Sequence, residues 1–374
     1  MIAIVRIVSL LLLLQSFRAP AQTTKEGELQ LNTGKEIFQA GCVACHGGDG
    51  KGTPKATAGF EPPSTFPDFT DCSGTTPEPD EQWRAIITNG GPGRGFSEIM
   101  PSFAEALTAA QIDKVIGYLR GLCREPSWPR GELNLPRALV TEKAYPEDEV
   151  VITTAVNAQG APGISNEFVY ERRFGVKNQL ELSLPFAFVH PDPGSWFGGV
   201  GDVGAGVKRV LFSSLGTGSI LSAQGMVILP TGNKTRGLGS GVTTFETFAS
   251  YGQILPARWF LQLQGGFELP THTDNVSRVA FWRTALGKSF NQGMGFGRLW
   301  SPMAEVVAER DLITGAATNW DVIPEFQVTL SKRQHVRGSV GVRIPFTNTA
   351  DRSIQVVFYV LWDWFDGKLL EGWK

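Results

Sequence analysis

The stretch "AGCVACHGGDGKG", residues 40–52, places two cysteines three positions apart, with a histidine directly after the second. Thiolates and imidazoles are ligands for soft metals, and a pair of thiols can also carry redox chemistry. Cys42, Cys45 and His46 could therefore form a redox dithiol, half of a zinc site, or the attachment point of a larger group. The rest of the sequence distinguishes these three kinds of site.

The other cysteines favour attachment of a larger group. The chain has four cysteines, and Cys72 and Cys123 stand apart from each other and from the first pair. A zinc site needs further soft ligands at matching spacing, and a thioredoxin-like dithiol needs a surrounding βαβ pattern, which is missing here. Cys-x-x-Cys-His is instead the attachment signature of c-type haem. We expect one covalent haem c, with Cys42 and Cys45 bonded to its vinyl groups and His46 as proximal iron ligand.

A sixth iron ligand must then be found. Methionine is the usual sixth ligand in electron-transferring c-type haem, where it raises the potential. Met100, in "SEIMPSFAEAL", is the only methionine between residues 22 and 225, and no other histidine precedes His190. We predict that Met100 is the second axial ligand; the alternative is a methionine that fills a gap in a core.

Short helices should surround these residues. "TGKE" at Thr33 has the form of a capping box, and so has the segment that begins at Thr108. A third helix is predicted in "PDEQWRAIITNGG", with Asp80 as its cap and Gly90 as its stop.

These features resemble a mono-haem class I cytochrome c over residues 30–123. The matching pieces are "GCVACHGGDGKG", the "IMPSF" loop and the first and last helices. The resemblance implies that the two terminal helices cross and that a haem edge is exposed for electron exchange. It gives Cys42, Cys45, His46 and Met100 the ligand roles stated above. It also implies an electron-transfer protein rather than an enzyme.

The N-terminus predicts export from the cytoplasm. Arg6 precedes a short apolar run, and Ala19-Pro20-Ala21 offers small residues for signal peptidase, so residues 1–21 are interpreted as a signal peptide. Disulfides can form in such a compartment. Cys72 and Cys123 could pair there, or remain as two buried free thiols, because connectivity cannot be read from sequence alone.

Beyond the first domain the pattern changes. Residues 124–148 contain Pro126, Pro129, Pro136 and Pro146 and are interpreted as a proline-rich extended linker. From 149 to 374 about twelve segments of roughly ten residues alternate between apolar and polar, which is typical of strands in a transmembrane β-barrel. The fold class predicted is thus a small all-α domain followed by an antiparallel barrel of about 12 strands. A soluble β-sandwich is the alternative, since its strands also alternate.

The second domain also resembles an outer-membrane barrel family that includes transporters of the phenol meta-cleavage pathway. The resemblance is carried by "GVGDVGAGVKRVLF" and "GMVILPTGNKTRG" and covers about 200 residues. It implies an architecture more than an activity.

Together these features predict a haem domain that faces the periplasm and is carried on an outer-membrane barrel, which could be a porin-like channel. In the alternative function, the haem domain serves a periplasmic enzyme as acceptor or redox subunit, and the barrel is only an anchor or docking scaffold. The partners expected are periplasmic redox proteins, outer-membrane lipid and a possible small solute. A net charge of -2 gives no support for nucleic acid.

Overall fold

The computed structural model describes residues 31–54, 59, 61–63, 66–125, 127–190, 194–274, 276–291 and 298–364. The predicted signal peptide, residues 1–21, lies outside these ranges. Helices occupy the first part of the chain and strands the second.

The first part contains five α-helices among the described residues: α1 Gly34–Gly41, α2 Val43–His46, α3 Cys72–Thr75, α4 Asp80–Asn89 and α5 Ala109–Arg120. Both predicted capping boxes are present, at Thr33 and at Thr108. At α4 the prediction is off by one residue, because Pro79 is the N-cap and Asp80 is the first helical residue. Within the described ranges, no helix combines the length and apolar content needed to cross a membrane.

The first and last of these helices, α1 and α5, cross at close range. A Cβ at Gly34 would collide with the carbonyl of Lys114, so this approach requires glycine. Around the crossing, a core forms from Ile37, Phe38, Phe69, Val115 and Leu119.

The second part is a closed antiparallel barrel. Its twelve long strands are β1 Glu149–Asn157, β2 Gly163–Phe174, β3 Asn178–Val189, β4 Val203–Ser214, β5 Ser219–Leu229, β6 Thr244–Ile254, β7 Trp259–Pro270, β8 Val279–Lys288, β9 Leu299–Asp311, β10 Asn319–Thr329, β11 Val336–Pro345 and β12 Gln355–Asp363. Each pairs with its neighbour in the chain, and β1 pairs with β12 from Glu149↔Asp363 to Asn157↔Gln355, which closes the ring. The predicted barrel of about twelve strands is confirmed.

Short elements complete the description. Two short strands, Phe197–Val200 and Phe290–Asn291, pair with β3 and β9. The 3-10 helices are Gly91–Arg94, Gly131–Leu133, Lys234–Arg236, Pro256–Arg258 and Thr349–Asp351.

The polarity of the barrel is inverted relative to a soluble protein. Large apolar side chains on the outside are exposed, among them Leu180, Leu182, Leu184, Phe245, Phe326 and Phe358. Many inward-facing side chains are polar or charged and buried, including Gln179, Glu181, Gln224, Gln262, Gln264, Glu305, Glu325 and Gln327. A β-sandwich would bury its apolar face, whereas lipid requires an apolar outer face. The alternation therefore belongs to a membrane barrel and not to the sandwich alternative.

The segment interpreted as a linker lies inside the barrel. Its backbone is extended, as the prolines predict. Between Pro129 and Asp148, however, at least every second residue is buried, and the last six residues are all buried. We call residues 129–148 the lumen segment. An exposed linker would leave its backbone groups to water, whereas these groups contact the inner wall. The interpretation as a linker accounts for the extended backbone of this segment, but it does not account for the position of the segment inside the barrel.

Lipid contact gives the first prediction. Leu182→Arg places a charge on the outer face of β3, where the leucine side chain is 43% exposed. We expect a loss of unfolding free energy of about 2–4 kcal/mol in lipid vesicles, measured by urea titration, because hydrocarbon does not solvate the guanidinium. Leu182→Met, which keeps the side chain apolar, is the control and should unfold like the wild type. Equal stability of the arginine variant would contradict a lipid-facing position.

Candidate functional site

Helix α2 holds the two thiols and the imidazole of the attachment motif. Cys42 is the N-cap of this helix and Cys45 lies within it, so the two free thiols are about one turn apart. The chain then turns back on the helix: Gly52 N–H donates to the carbonyl of His46, and Thr53 N–H to that of Cys45, both at 2.9 Å. This fold-back satisfies the C-terminal carbonyls of a very short helix.

The imidazole of His46 is enclosed by aromatic rings. It stacks on Phe66 with ring centroids 4.9 Å apart, and the Phe69 ring lies at 5.0 Å. Burial lowers the pKa of His46 to about 4, so the ring is neutral at pH 7. Its Nδ1 is buried and has no hydrogen-bond partner among the described residues. A neutral imidazole in this state has the lone pair that a metal ligand needs.

Met100 is placed by a glycine-rich loop. The N–H of Gly91 donates to the carbonyl of Met100 at 3.0 Å, and Met100 N–H donates to that of Ser97 at 3.3 Å. A Cβ on Gly91 would collide with the Ser97 carbonyl, and Gly90 has φ +78°. The two glycines therefore allow the loop to fold tightly enough to hold Met100 in place.

All four predicted ligand residues line one cavity of about 320 Å³. Most of its other walls are apolar, including Phe38, Phe69, Trp83, Ile86, Ile87, Phe103 and Leu119. Burial raises the pKa of the Cys42 thiol to about 11, with a further contribution from the neighbouring Cys45. This set of groups fits a covalently attached haem. It consists of two free thiols, a buried imidazole with an unpaired nitrogen, and a thioether, all around one apolar space.

Arg120 and a disulfide stabilise the wall of this cavity. The guanidinium of Arg120 lies 3.7 Å over the Trp83 ring and donates to the carbonyls of Thr75 and Glu78. Cys72 and Cys123 are bonded, with Cα atoms 5.2 Å apart. Of the two states that the sequence left open for these thiols, the structure has the disulfide. It joins α3, next to the cavity, to the end of the helical part.

The helical part sits on the barrel mouth where β1 begins. Arg94, which is buried, donates to the carbonyl of Arg333 at 2.9 Å, and the Arg333 guanidinium lies 4.4 Å over the Phe96 ring. On another side of the mouth, Arg258 forms an ion pair with Glu81 at 2.9 Å. We call this set of contacts the docking surface.

His335 belongs to the docking surface as well. The sequence places it alone and indicates a loop or lumen residue rather than a metal ligand. The structure buries it at the start of β11, where Nδ1 contacts Asp363 and Nε2 lies 3.6 Å from Glu78. His190 and His272 show no such contact among the described residues.

Neither the docking surface nor the position of the lumen segment could be predicted from the sequence. Both are made of residues far apart in the chain: Arg94 and Arg333 are separated by 239 positions. Buried charge within strands was visible, but water or other side chains in a lumen would account for it equally well.

Comparison with known families identifies the helical part. Residues 29–119 match the family described as "Cytochrome C oxidase, cbb3-type, subunit III". This part of the chain is a cytochrome c domain, and such a domain implies haem c. No curated protein matches the sequence.

The barrel is similar to solved outer-membrane structures at low identity. The COG4313 outer membrane channel from Pseudomonas putida F1 has a TM-score of 0.42 and 13% identity, over 62% of this chain and 100% of that one. The NanC porin gives 0.40 and 6%, over 57% and 98%. The KdgM porin gives 0.38 and 9%, over 58% and 99%. The strand pairing and the polarity of the chain itself define the barrel.

The disulfide gives a prediction for stability. Cys72→Ser with Cys123→Ser opens a loop defined by a separation of 51 residues. Loop-closure entropy predicts a loss of about 4 kcal/mol of unfolding free energy for the haem domain. Denaturant titration followed by haem absorbance measures it, since the attachment cysteines are untouched. Unchanged stability would mean that the bond does not restrain the unfolded chain.

Proposed function

Starting from the cytochrome c domain of residues 29–119, we propose that the chain is an electron-transfer protein of the outer membrane. Cys42 and Cys45 hold one haem c covalently, and His46 and Met100 are its axial ligands. The observation that carries this proposal is that these four side chains line one apolar cavity. When bound there, a c-type haem supplies reversible one-electron exchange at its iron.

The chain's own residues set the properties of that exchange. His46 is held by Phe66 and Phe69, so the imidazole cannot rotate freely, and the loop after Gly90 fixes the thioether. The apolar wall of the cavity would keep water away from a haem bound there. Exclusion of water together with a thioether ligand favours the reduced, less charged state and so a higher potential.

The lengths of the connections between strands support a periplasmic haem domain. On the rim next to this domain the chain turns at 175–177, 215–218, 255–258 and 330–335, with one longer connection at 289–298. The opposite rim carries 158–162, 190–202, 230–243, 271–278, 312–318 and 346–354, which are longer on average. Outer-membrane barrels have short periplasmic turns and longer external loops. In this orientation the redox partner is a periplasmic protein.

The filled lumen favours the second function considered for the barrel, that of an anchor and docking scaffold. Leu139 packs inside the barrel against Val151, Val307 and Ile323 of the wall. In this conformation the lumen segment takes the space through which a solute would pass. The barrel then serves to hold the haem domain at the membrane, where a periplasmic enzyme or carrier meets it.

Covalent attachment is tested by removing both thiols. Cys42→Ala with Cys45→Ala should abolish haem staining on a denaturing gel, because no thioether bond can form. The control is the Cys72→Ser, Cys123→Ser protein, which loses two cysteines as well but should keep its stain. Persistent staining of the first variant would refute the attachment site.

Axial ligation is tested by Met100→Ala. The haem should remain bound, the charge-transfer absorption of Met-to-ferric-haem bonding should vanish, and the potential should fall because the thioether no longer favours the reduced iron. Met226→Ala, which removes a thioether from the barrel wall, is the control and should leave spectrum and potential unchanged. If Met100→Ala kept both the band and the potential, Met100 would be a packing residue.

A further inference from the structure

The lumen segment is held to the barrel wall by side chains rather than by a sheet. Gln262 and Gln327 donate to the carbonyls of Pro136 and Arg137, at 2.8 and 3.1 Å. Further contacts come from the remaining wall: Glu325 accepts from Leu139 N–H, Glu305 from Val140 and Thr141, Gln264 from Glu142, and Gln179 from Glu147. These partners lie on β3, β7, β9 and β10, so hydrogen bonds hold the segment from several sides of the barrel.

The segment is held by hydrogen bonds that water can replace, by buried ion pairs of Arg137 and Lys143 with Glu149, and by apolar contacts of Leu133 and Leu135 with the wall. A hydrogen bond exchanged for water changes the free energy little, while a buried group left without any partner is costly. If the segment left, water would enter and solvate the glutamine and glutamate side chains of the wall. The barrel itself would stay closed, because its ladder from β1 to β12 includes no residue of the segment.

Both ends of the segment lie at the same rim. Its first residues contact the haem domain, and its last residue precedes Glu149, which pairs with Asp363 at that rim. Between them Leu139 contacts Glu325 and Gly341, which lie near the middle of β10 and β11. The segment is thus a loop that enters and returns, and it can withdraw without threading an end through the lumen.

The haem domain holds the outer end of this loop. Gly131 N–H donates to the carbonyl of Thr76 at 2.7 Å, and Arg130 pairs with Asp80 at 2.8 Å. Glu132 also accepts from the N–H of Asp80, at 2.9 Å. A movement of the domain away from the mouth would therefore pull residues 130–132 with it.

From this geometry we propose that the haem domain and the lumen segment form one gate. When the domain leaves the docking surface, residues 129–148 are drawn out and a water-filled path opens; when it docks, the path closes. This goes beyond electron transfer, since it gives the barrel a conducting state that the haem domain controls.

The test measures conductance of the full-length holoprotein in planar bilayers. Arg137→Ser with Leu139→Ser loosens the grip inside the lumen, and Arg258→Ala with Arg333→Ala loosens the docking surface without touching the lumen. Each pair should raise the open probability at least about tenfold, the factor that corresponds to ~1.4 kcal/mol. Arg209→Ala, which removes an arginine of β4 bonded to Asn178 and not to the haem domain, is the matched control and should conduct like the wild type.

A reversible lock makes the test independent of folding defects. Leu135→Cys with Gly252→Cys places two thiols where Leu135 packs on β6, and a Cβ at Gly252 would meet only side-chain atoms, the nearest at 3.0 Å. Oxidation should silence the rare openings, and reduction should restore them in the same protein; Leu135→Cys alone, treated identically, should not respond.

Three results would overturn the proposal. The first is that the Arg137→Ser, Leu139→Ser variant shows no increase in conductance. The second is that this variant conducts while the Arg258→Ala, Arg333→Ala variant stays closed. The third is that oxidation of the double-cysteine variant leaves its conductance unchanged.

Discussion

Closure of the strand ladder is the constraint on which the rest of the structure depends. Once β1 pairs with β12, no sheet edge remains inside the ring, and lipid surrounds the outside. Apolar side chains must therefore point outward and polar ones inward. An extended chain placed in that interior can find backbone partners only among wall side chains. The buried Gln179, Gln262, Glu305 and Glu325 provide them, and they explain why the wall is so rich in amides and carboxylates.

Charge inside the barrel follows from the same constraint. Arg137 of the lumen segment lies against Glu149 at 2.8 Å and Glu171 at 3.2 Å. Removing one partner of such a buried set leaves an uncompensated charge, so the members depend on one another. The lumen segment is thus specified by electrostatic complementarity and by apolar contacts with the wall, those of Leu133, Leu135, Leu139, Ala144 and Tyr145. Water can solvate the polar part of this interface when the segment withdraws, whereas exposing each apolar side chain costs free energy.

The lipid face was predicted correctly because its pattern is local: it repeats every second residue, as at Leu180, Leu182 and Leu184. Cys42, Cys45 and His46 are also close together in the chain, and their roles as haem ligands stay a prediction. The lumen segment differs because its contacts join residues that are far apart in the chain. Leu139 meets Glu325 across 186 residues and Glu142 meets Gln264 across 122, and nothing local marks either contact. Its prolines prevent strand pairing, which is equally true of a solvated linker.

The same limit applies to the docking surface. The partners of His335, Asp363 and Glu78, come from two different parts of the chain. Sequence gives the chemical type of each residue; pairing of β11 with β12 brings His335 to Asp363, and the helical part at the barrel mouth supplies Glu78. The four predicted haem ligands lie within a shorter span, which is why they could be proposed from spacing and from the scarcity of methionine.

The short connection between the last helix and the barrel has a consequence for encounter kinetics. Only residues 124–128 separate the disulfide at Cys123 from the lumen segment, so the haem domain never diffuses away from its own barrel. Tethers of this length correspond to effective concentrations on the order of millimolar. A redox partner at lower concentration displaces the barrel from the docking surface only if its affinity for that surface is correspondingly higher. The face of the haem domain that remains open to solvent is available to a partner without this competition.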